Sequence, residues 1–345
     1  RMKTKLVYVL TCSSDSNYIE QATLATYSAR HWNPSAEIIL IVDDQTDRLI
    51  ASERHEILKY VSRIIVVPFD GDETMMYRSR WIKTSVRALV EGDFLFVDSD
   101  TITTRPLDDI DQLPCLMGAV PDSNLPVKEF RADLLKATKR KIAQMDLSLD
   151  KEEYYFSSGV LYVKDVPQTH DIYTLWHTLW LDGVSKGVQI DQPSLAIANI
   201  KTGHLIERIP DAYNCIMYTQ PDFAKDAFIL HFAAYRNPSW LFTKRVYQII
   251  QAEGIPDWLV PFILDPIQTY IPFRYSVSKM SLRELLRNIT RVANVASIYS
   301  THIDSTFSDM KEDSHWYAKA RKSFSKKHYN LGAMYCLFPT WLSIK

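Results

Sequence analysis

The chain has 345 residues, with 46% hydrophobic and 23% charged positions and a formal net charge of −1. That is ordinary globular composition, enough for one large domain or one domain with a substantial appendage, and it argues against a polycationic nucleic-acid binder or a disordered chain. The four cysteines, Cys12, Cys115, Cys215 and Cys336, lie far apart with no CxxC pair, which speaks against zinc and a dense disulfide framework and suits a reducing compartment.

In chain order, Lys5 to Leu10 is an apolar run that predicts a buried first strand ending in the polar turn Thr11 to Asn17. A helical pattern covers Tyr18 to His31, and Glu37 to Val42 predicts a second strand stopping at Asp43 and Asp44. A helix over Thr46 to Val61 leads to a third strand at Arg63 to Pro68, and a helix over Ser79 to Val90 leads to the apolar segment Phe94 to Val97. Strands alternating with helices predict an α/β fold with a parallel, doubly wound sheet, and such sheets bind ligands at the carboxyl ends of their strands. The turns after Leu10, Val42, Val67 and Val97 are therefore expected on one rim.

The turn after Val97 carries Asp98-Ser99-Asp100. Residues i and i+2 of a strand point the same way, so two carboxylates at this spacing can face one point and hold a hard divalent cation beside a phosphate. The plain alternative is a turn rich in Asp and Ser. Further on come a strand at Leu116 to Val120, a charged helical stretch at Lys128 to Met145 and a strand at Gly159 to Val163. A helix over Asp171 to Leu181 follows, then a helix opened by Asp191-Gln192-Pro193, then the short apolar strand Phe228 to Phe232, which contains His231. After about Thr243 the alternation ends and the segments read as helical, rich in Pro, Trp and Tyr, which sets expected domains at 1–242 and 243–345.

These residues resemble the GT-A type (Rossmann-like) nucleotide-sugar glycosyltransferases, in particular glycosyltransferase family 8, over roughly Lys5 to Trp240. The polar turn with Asp15, Asn17 and Tyr18 resembles the family's nucleotide-binding turn, and Arg78, Arg80 and Lys83 stand where the family places basic donor contacts. Asp98-Ser99-Asp100 matches its metal motif, and Phe156-Ser-Ser158-Gly159-Val160 is similar to its Phe-Asn-Ser-Gly-Val segment. Asp191-Gln192 matches its Asp-Gln pair, and His231-Phe232 with Pro238 and Trp240 is similar to its His-x-x-Gly-x-x-Lys-Pro-Trp element. The departures are Ser157 for the Asn, Ala234 for the Gly and a missing Lys, for which Arg236 offers a replacement charge.

The resemblance implies a mainly parallel sheet with helices on both faces, a mostly helical C-terminal region, and retaining transfer of a sugar from a nucleoside diphosphate, UDP above all. It implies Mn²⁺ or Mg²⁺ held by Asp98, Asp100 and His231. The donor would meet Thr11, Cys12, Asp15, Asn17, Tyr18, Arg78, Lys83, Ser99, Asp122, Ser158 and Arg236, with Asp191 and Gln192 beside the reacting sugar. Three of these have a plainer alternative: His231 as a locally satisfied histidine, Asp191 as a helix cap, Asp122 as a turn residue. Two other readings stand beside this one. One is a non-catalytic sugar-nucleotide-binding protein; the other is a haloacid-dehalogenase-type phosphatase with Asp98 as nucleophile, although three strands here precede a motif that normally closes the first.

From Ser314 to Lys345 there are six Lys or Arg and no Asp or Glu, among seven aromatic residues, which leaves about −7 on the remainder. Trp316, Ala320, Phe324, Leu331 and Tyr335 recur at helical spacing, with Lys319, Lys322 and Lys326 around them. This predicts an amphipathic helix that either packs on the body or lies on an anionic membrane surface. The membrane reading implies a lipid-linked or other glycan acceptor, as in bacterial surface polysaccharide or lipopolysaccharide synthesis. No run of about 18 apolar residues occurs, and the first residues lack the apolar core of a signal peptide, so the expected location is cytoplasmic, with peripheral contact at the inner membrane face on the membrane reading of the tail. Basic residues confined to one segment argue against nucleic acid.

Overall fold

A computed structural model describes residues 2–130, 132–217, 224, 226–232, 239–266 and the isolated positions 319, 322, 323, 326 and 334. It divides into two compact units: Arg1–Cys215 with Ala227–His231, and Ile216–Asp226 with Phe232–Lys345.

The first unit is built on a seven-stranded sheet. Its strands are β1 (Lys5–Leu10), β2 (Ile38–Asp43), β3 (Arg63–Val67), β4 (Phe94–Val97), β6 (Met117–Pro121), β7 (Phe156–Val163) and β8 (Ile206–Arg208). β5 (Thr101–Thr103), β9 (Cys215–Ile216) and β10 (Ile229–His231) form a second, three-stranded sheet in the order β5-β10-β9. The large sheet runs β3-β2-β1-β4-β7-β6-β8. β1, β2, β3 and β4 pair in parallel, with Leu6 opposite both Ile38 and Leu95. β7 pairs antiparallel with β4 and with β6, and β8 pairs in parallel with β6, so β7 alone runs against the other strands of this sheet. The expected α/β fold with a mostly parallel sheet is thus present, with one reversed strand beside β4.

The helices of this unit are α1 (Tyr18–Trp32), α2 (Asp44–Ser52), α3 (Met75–Leu89), α4 (Ala132–Ala143), α5 (Pro167–Ser185) and α6 (Gln192–Lys201). Strand residues alternate between faces, and here both faces are apolar. Leu6, Tyr8, Leu10, Leu40 and Val42 pack with Ile19, Ala22 and Ala25 of α1 and Ile50 of α2. Val7, Val9, Ile39 and Ile41 pack on the opposite face with Ile82 and Val86 of α3, Ile172 and Trp176 of α5, and Leu195 of α6. Full burial of each such side chain contributes about 1.5–3 kcal/mol. The sheet is therefore a stiff base for its loops.

Several elements differ in extent from the sequence expectation: α4 begins at Ala132 rather than Lys128, β7 begins at Phe156 rather than Gly159, and α5 runs from Pro167 to Ser185 rather than from Asp171 to Leu181. The helix expected over Thr46 to Val61 stops at Ser52, and a separate 3₁₀ turn over His55–Lys59 buries Ile57 instead. The helix expected from Ser79 begins four residues earlier, at Met75, because the Thr74 side chain accepts from the Tyr77 N–H as an N-cap. In the second unit, α7 (Lys244–Glu253) and α8 (Val260–Leu264) are helical as expected after Thr243, and α7 buries Val246, Tyr247 and Ile250. The tail pattern over 314–345 lies almost wholly outside the described residues. Among the described residues, no helix is long and apolar enough to cross a membrane.

Candidate functional site

β4 delivers Asp98 to the carboxyl end of the sheet, and its N–H donates to the Gly159 carbonyl of β7 at 2.8 Å. The chain then turns, with the Thr101 hydroxyl donating to the Asp98 carbonyl at 2.8 Å, and enters β5. The Asp98-Ser99-Asp100 segment is therefore a turn, and its carboxylates meet through that turn, not through strand alternation. β5 pairs antiparallel with β10 so that Thr101 stands opposite His231. This register carries the imidazole to the aspartates: His231 Nε2 lies 3.2 Å from Asp100 Oδ1. One ligand atom from each of Asp98, Asp100 and His231 lies within 4.8 Å of the others.

Gly159 leaves the space this requires. A Cβ there would stand 2.5 Å from His231 Cε1 and 3.0 Å from Asp98 Oδ2. Burial pushes Asp98 above the usual carboxylate range, and Asp100 adds to this against the opposing pull of Lys83. For His231 burial acts downward, yet Asp100 and Asp98 carry the imidazole above its ordinary value. Two carboxylates and one imidazole are a mixed oxygen and nitrogen set able to hold a divalent metal ion. The far ring nitrogen, His231 Nδ1, is 3.0 Å from Asn214 Oδ1.

A second group of charges adjoins the first. Lys83 of α3 is buried, with Nζ 3.1 Å from Asp98 Oδ1, 3.3 Å from Ser158 Oγ and 3.5 Å from Asp191 Oδ2. Arg80, one turn earlier, places Nε 2.8 Å from Asp191 Oδ1. Burial alone would raise the Asp191 carboxyl, but Lys83 and Arg80 lower it to about 2. Asp191 occupies the N-cap position of α6 without a capping side-chain bond; its carboxylate turns to the cations instead. Its carbonyl is anchored by the Trp176 indole N–H at 2.9 Å and the Ser194 hydroxyl at 2.7 Å. Beside it, Gln192 Nε2 is buried and makes no hydrogen bond among the described residues. A buried amide nitrogen without a partner is a costly arrangement that a ligand oxygen would relieve.

The other sequence-predicted residues divide. Tyr18 is exposed at the start of α1. Ser99 is half-buried between the two aspartates, and Asn17 leads into α1 without a side-chain cap. Thr11 donates its hydroxyl to the Met75 carbonyl at 2.9 Å. The Cys12 thiol is buried in the core, where burial raises it to about 11, and its N–H donates to Thr46 Oγ1. Asp15 is exposed and held below its ordinary value by the Ser13 hydroxyl. The turn that carries these residues is braced from below, where Arg54 Nη2 donates to the Ser16 carbonyl at 2.9 Å.

Arg78 points to the opposite side of α3 from Arg80. It is buried and donates Nε to Asp43, Nη1 to the Glu73 carbonyl and Nη2 to Gln45 Oε1. Asp43 in turn caps α2 at the Thr46 N–H, so Arg78 is tied into the scaffold. Asp122 donates its N–H to the Tyr155 carbonyl at 2.7 Å and heads a turn in which Ser123 and Asn124 hold positive φ, 59° and 55°. Arg236 lies outside the described residues.

The fold thus brings together Lys83, Asp98, Asp100, Ser158, Asp191 and His231, from α3, the β4 turn, β7, the start of α6 and β10. Asn214 gives no sign in the sequence, because a single Asn before Cys215 looks like any turn residue.

No family model and no curated protein matches the sequence. Among solved structures, the chain is similar to the galactosyltransferase LgtC in complex with donor and acceptor sugar analogues, at 16% identity over 75% of this chain and 99% of that one, with a TM-score of 0.49. It is similar to the glycosyltransferase GlyE of Streptococcus pneumoniae TIGR4 at 17% identity over 76% of this chain and 63% of that one, with a TM-score of 0.46. It is also similar to mouse xyloside xylosyltransferase 1, at 12% identity over 66% of this chain and 97% of that one, with a TM-score of 0.43.

Proposed function

We propose that this chain is a metal-dependent, retaining glycosyltransferase of GT-A type that moves a sugar from a nucleoside diphosphate, UDP on the resemblance, to a glycan or lipid-linked acceptor. The observation that carries the proposal is the junction at Lys83. Its ammonium lies 3.1 Å from Asp98 of the Asp98-Asp100-His231 group and 3.5 Å from Asp191. A leaving diphosphate and a reacting sugar carbon need those two environments side by side.

In such a transfer the bond from the anomeric carbon to the diphosphate oxygen breaks, and negative charge grows on the departing group. Mn²⁺ or Mg²⁺ bound by Asp98, Asp100 and His231 would supply Lewis-acid stabilisation of that charge. Lys83 and Arg80 add fixed positive charge within reach of the same site. Asp191, with its carboxyl near 2, is ionised throughout the neutral range and is a weak base. It therefore suits stabilising an oxocarbenium-like sugar or orienting the acceptor hydroxyl, and does not suit removing a proton. Gln192 offers its unpartnered Nε2 to a sugar hydroxyl. The acceptor class, bacterial surface polysaccharide or lipopolysaccharide, and peripheral contact of 314–345 with an anionic membrane belong to this proposal on sequence grounds, as does the division at residue 242.

Calorimetric titration with UDP, GDP and their sugar conjugates, with Mn²⁺ and then with excess chelator, tests it. Manganese-dependent binding of one nucleotide, followed by donor turnover, is expected. Binding without turnover under any acceptor would favour the non-catalytic reading, and no binding would end the transferase reading.

A further inference from the structure

We infer that Asn214 is the positioning residue of the metal site, fixing the ring orientation of His231 so that Nε2 carries the free lone pair and faces Asp98 and Asp100. The inference rests on the metal reading of those three residues. Asn214 is fully buried and held at every polar group. Its N–H donates to the Asp211 carbonyl at 3.0 Å, and its own carbonyl accepts from Asn124 Nδ2 at 2.9 Å. Its amide nitrogen, Nδ2, is 3.2 Å from Ser157 Oγ, and its amide oxygen is 3.0 Å from His231 Nδ1.

The orientation of the Asn214 amide sets the proton on the imidazole. With its oxygen, which can only accept, toward the ring, Nδ1 carries the hydrogen. In the neutral ring that leaves Nε2 unprotonated, as a metal ligand requires. In this orientation Ser157 accepts from Nδ2, and it also accepts the Gly159 N–H at 3.2 Å. The reversed amide would donate Nδ2 to an unprotonated Nδ1 and accept the Ser157 hydroxyl, leaving the hydrogen on Nε2, where it would block a metal; the metal reading therefore selects the orientation with the oxygen toward the ring. The Asn214 backbone is fixed, because both its N–H and its carbonyl are bound. Ser157, which departs from the family pattern, thus has a defined task here: it supports the support of His231. Asn124 adds a link from the same residue to the bend that begins at Asp122.

The test compares wild-type, Asn214→Leu and Asn214→Asp by Mn²⁺ calorimetry with no nucleotide, alongside thermal unfolding. Asn214→Leu removes the acceptor at similar size and is expected to weaken Mn²⁺ about 10–100-fold, the range for loss of a bond to a ligating histidine. Asn214→Asp keeps an acceptor for Nδ1, and the Ser157 hydroxyl can turn to donate, so its Mn²⁺ affinity is expected to match wild-type. A merely structural Asn214 would weaken both variants alike, in step with their loss of thermal stability. Equal weakening of the two, or full Mn²⁺ affinity in folded Asn214→Leu protein, would overturn the inference. Failure of wild-type to bind Mn²⁺ would instead end the metal reading on which it rests, with the inference.

Discussion

Gly159→Ala tests the candidate site at its tightest contact. The added Cβ would stand 2.5 Å from His231 Cε1, with Asp98 Oδ2 and His231 Nδ1 each 3.0 Å away. Carbon atoms settle at about 3.5–4.0 Å, so the imidazole or β7 must give by about 1 Å. The ring is held on one side by Asn214 at 3.0 Å and on the other by Asp100 at 3.2 Å, and movement away from β7 breaks one of these contacts. Overpacking of this kind costs about 1–3 kcal/mol, a fall of about 2–12 °C in melting temperature for a domain of this size. The functional loss is expected to be larger than the structural one. A displacement of 1 Å in a catalytic group can cost about 10²-fold in rate, and a shifted His231 is a weaker ligand as well. Thermal unfolding, Mn²⁺ titration and donor turnover on the same preparation separate the two effects. A folded Gly159→Ala protein with wild-type Mn²⁺ affinity and turnover would show that the gap between β7 and His231 is not a requirement of the site.

Three further outcomes follow from the same geometry. Asp100→Ala is expected to abolish metal-dependent donor binding in calorimetry while changing unfolding stability by less than about 1 kcal/mol, because a half-buried rim pair contributes little to the core; full activity in the folded variant would remove Asp100 from the site. The Asp191 carboxyl falls to about 2 on folding, so its pairing with Lys83 and Arg80 stabilises the protein above the unfolded value near 4 and is lost as pH falls from there towards 2. The stability difference between wild-type and Asp191→Asn, read by urea denaturation, should be flat from pH 6 to 8 and shrink below about pH 4, and a difference that changes between pH 6 and 8 would contradict the assignment. Arg78→Ala breaks a buried pair with Asp43 and should cost about 3–5 kcal/mol in urea denaturation with donor affinity unchanged; lost affinity at unchanged stability would return Arg78 to the donor site.

The parallel half of the sheet is legible because its information is local. Lys5 to Leu10, Ile38 to Asp43 and Phe94 to Val97 are unbroken apolar runs closed by polar turns, and strands buried on both faces read that way. Direction is another matter. Val160 to Val163 is an apolar run of the same kind, but side-chain periodicity is identical whichever way a strand runs, so the reversal of β7 cannot be read from it. β5 and β8, of three residues each, are too short to show a period at all. On α3 the distinction among the basic residues was present in the sequence: Arg80 and Lys83 are three apart and share a face, whereas Arg78 and Arg80 are two apart and point to different sides. The structure puts the first pair on Asp191 and the lone member on Asp43.

The candidate site was legible where a residue type announces a chemistry and silent where it serves one. Aspartate and histidine are recognisable ligands, but only the resemblance to the family groups His231 with Asp98 and Asp100; in the structure the pairing of β5 with β10 brings them together. Asn214 and Ser157 ligate nothing in that reading; each is a neutral group whose meaning comes from what it touches. A buried amide must satisfy its oxygen and its nitrogen separately, and the end that meets His231 sets which ring nitrogen carries the hydrogen. The same rule explains how Ser157 can stand where the family pattern has Asn. With Asn214 supplying the amide and Gly159 fixing the backbone approach, position 157 needs only an oxygen able to accept from both, and a serine hydroxyl provides one at 3.2 Å from each. A serine at this position is therefore compatible with an intact histidine support.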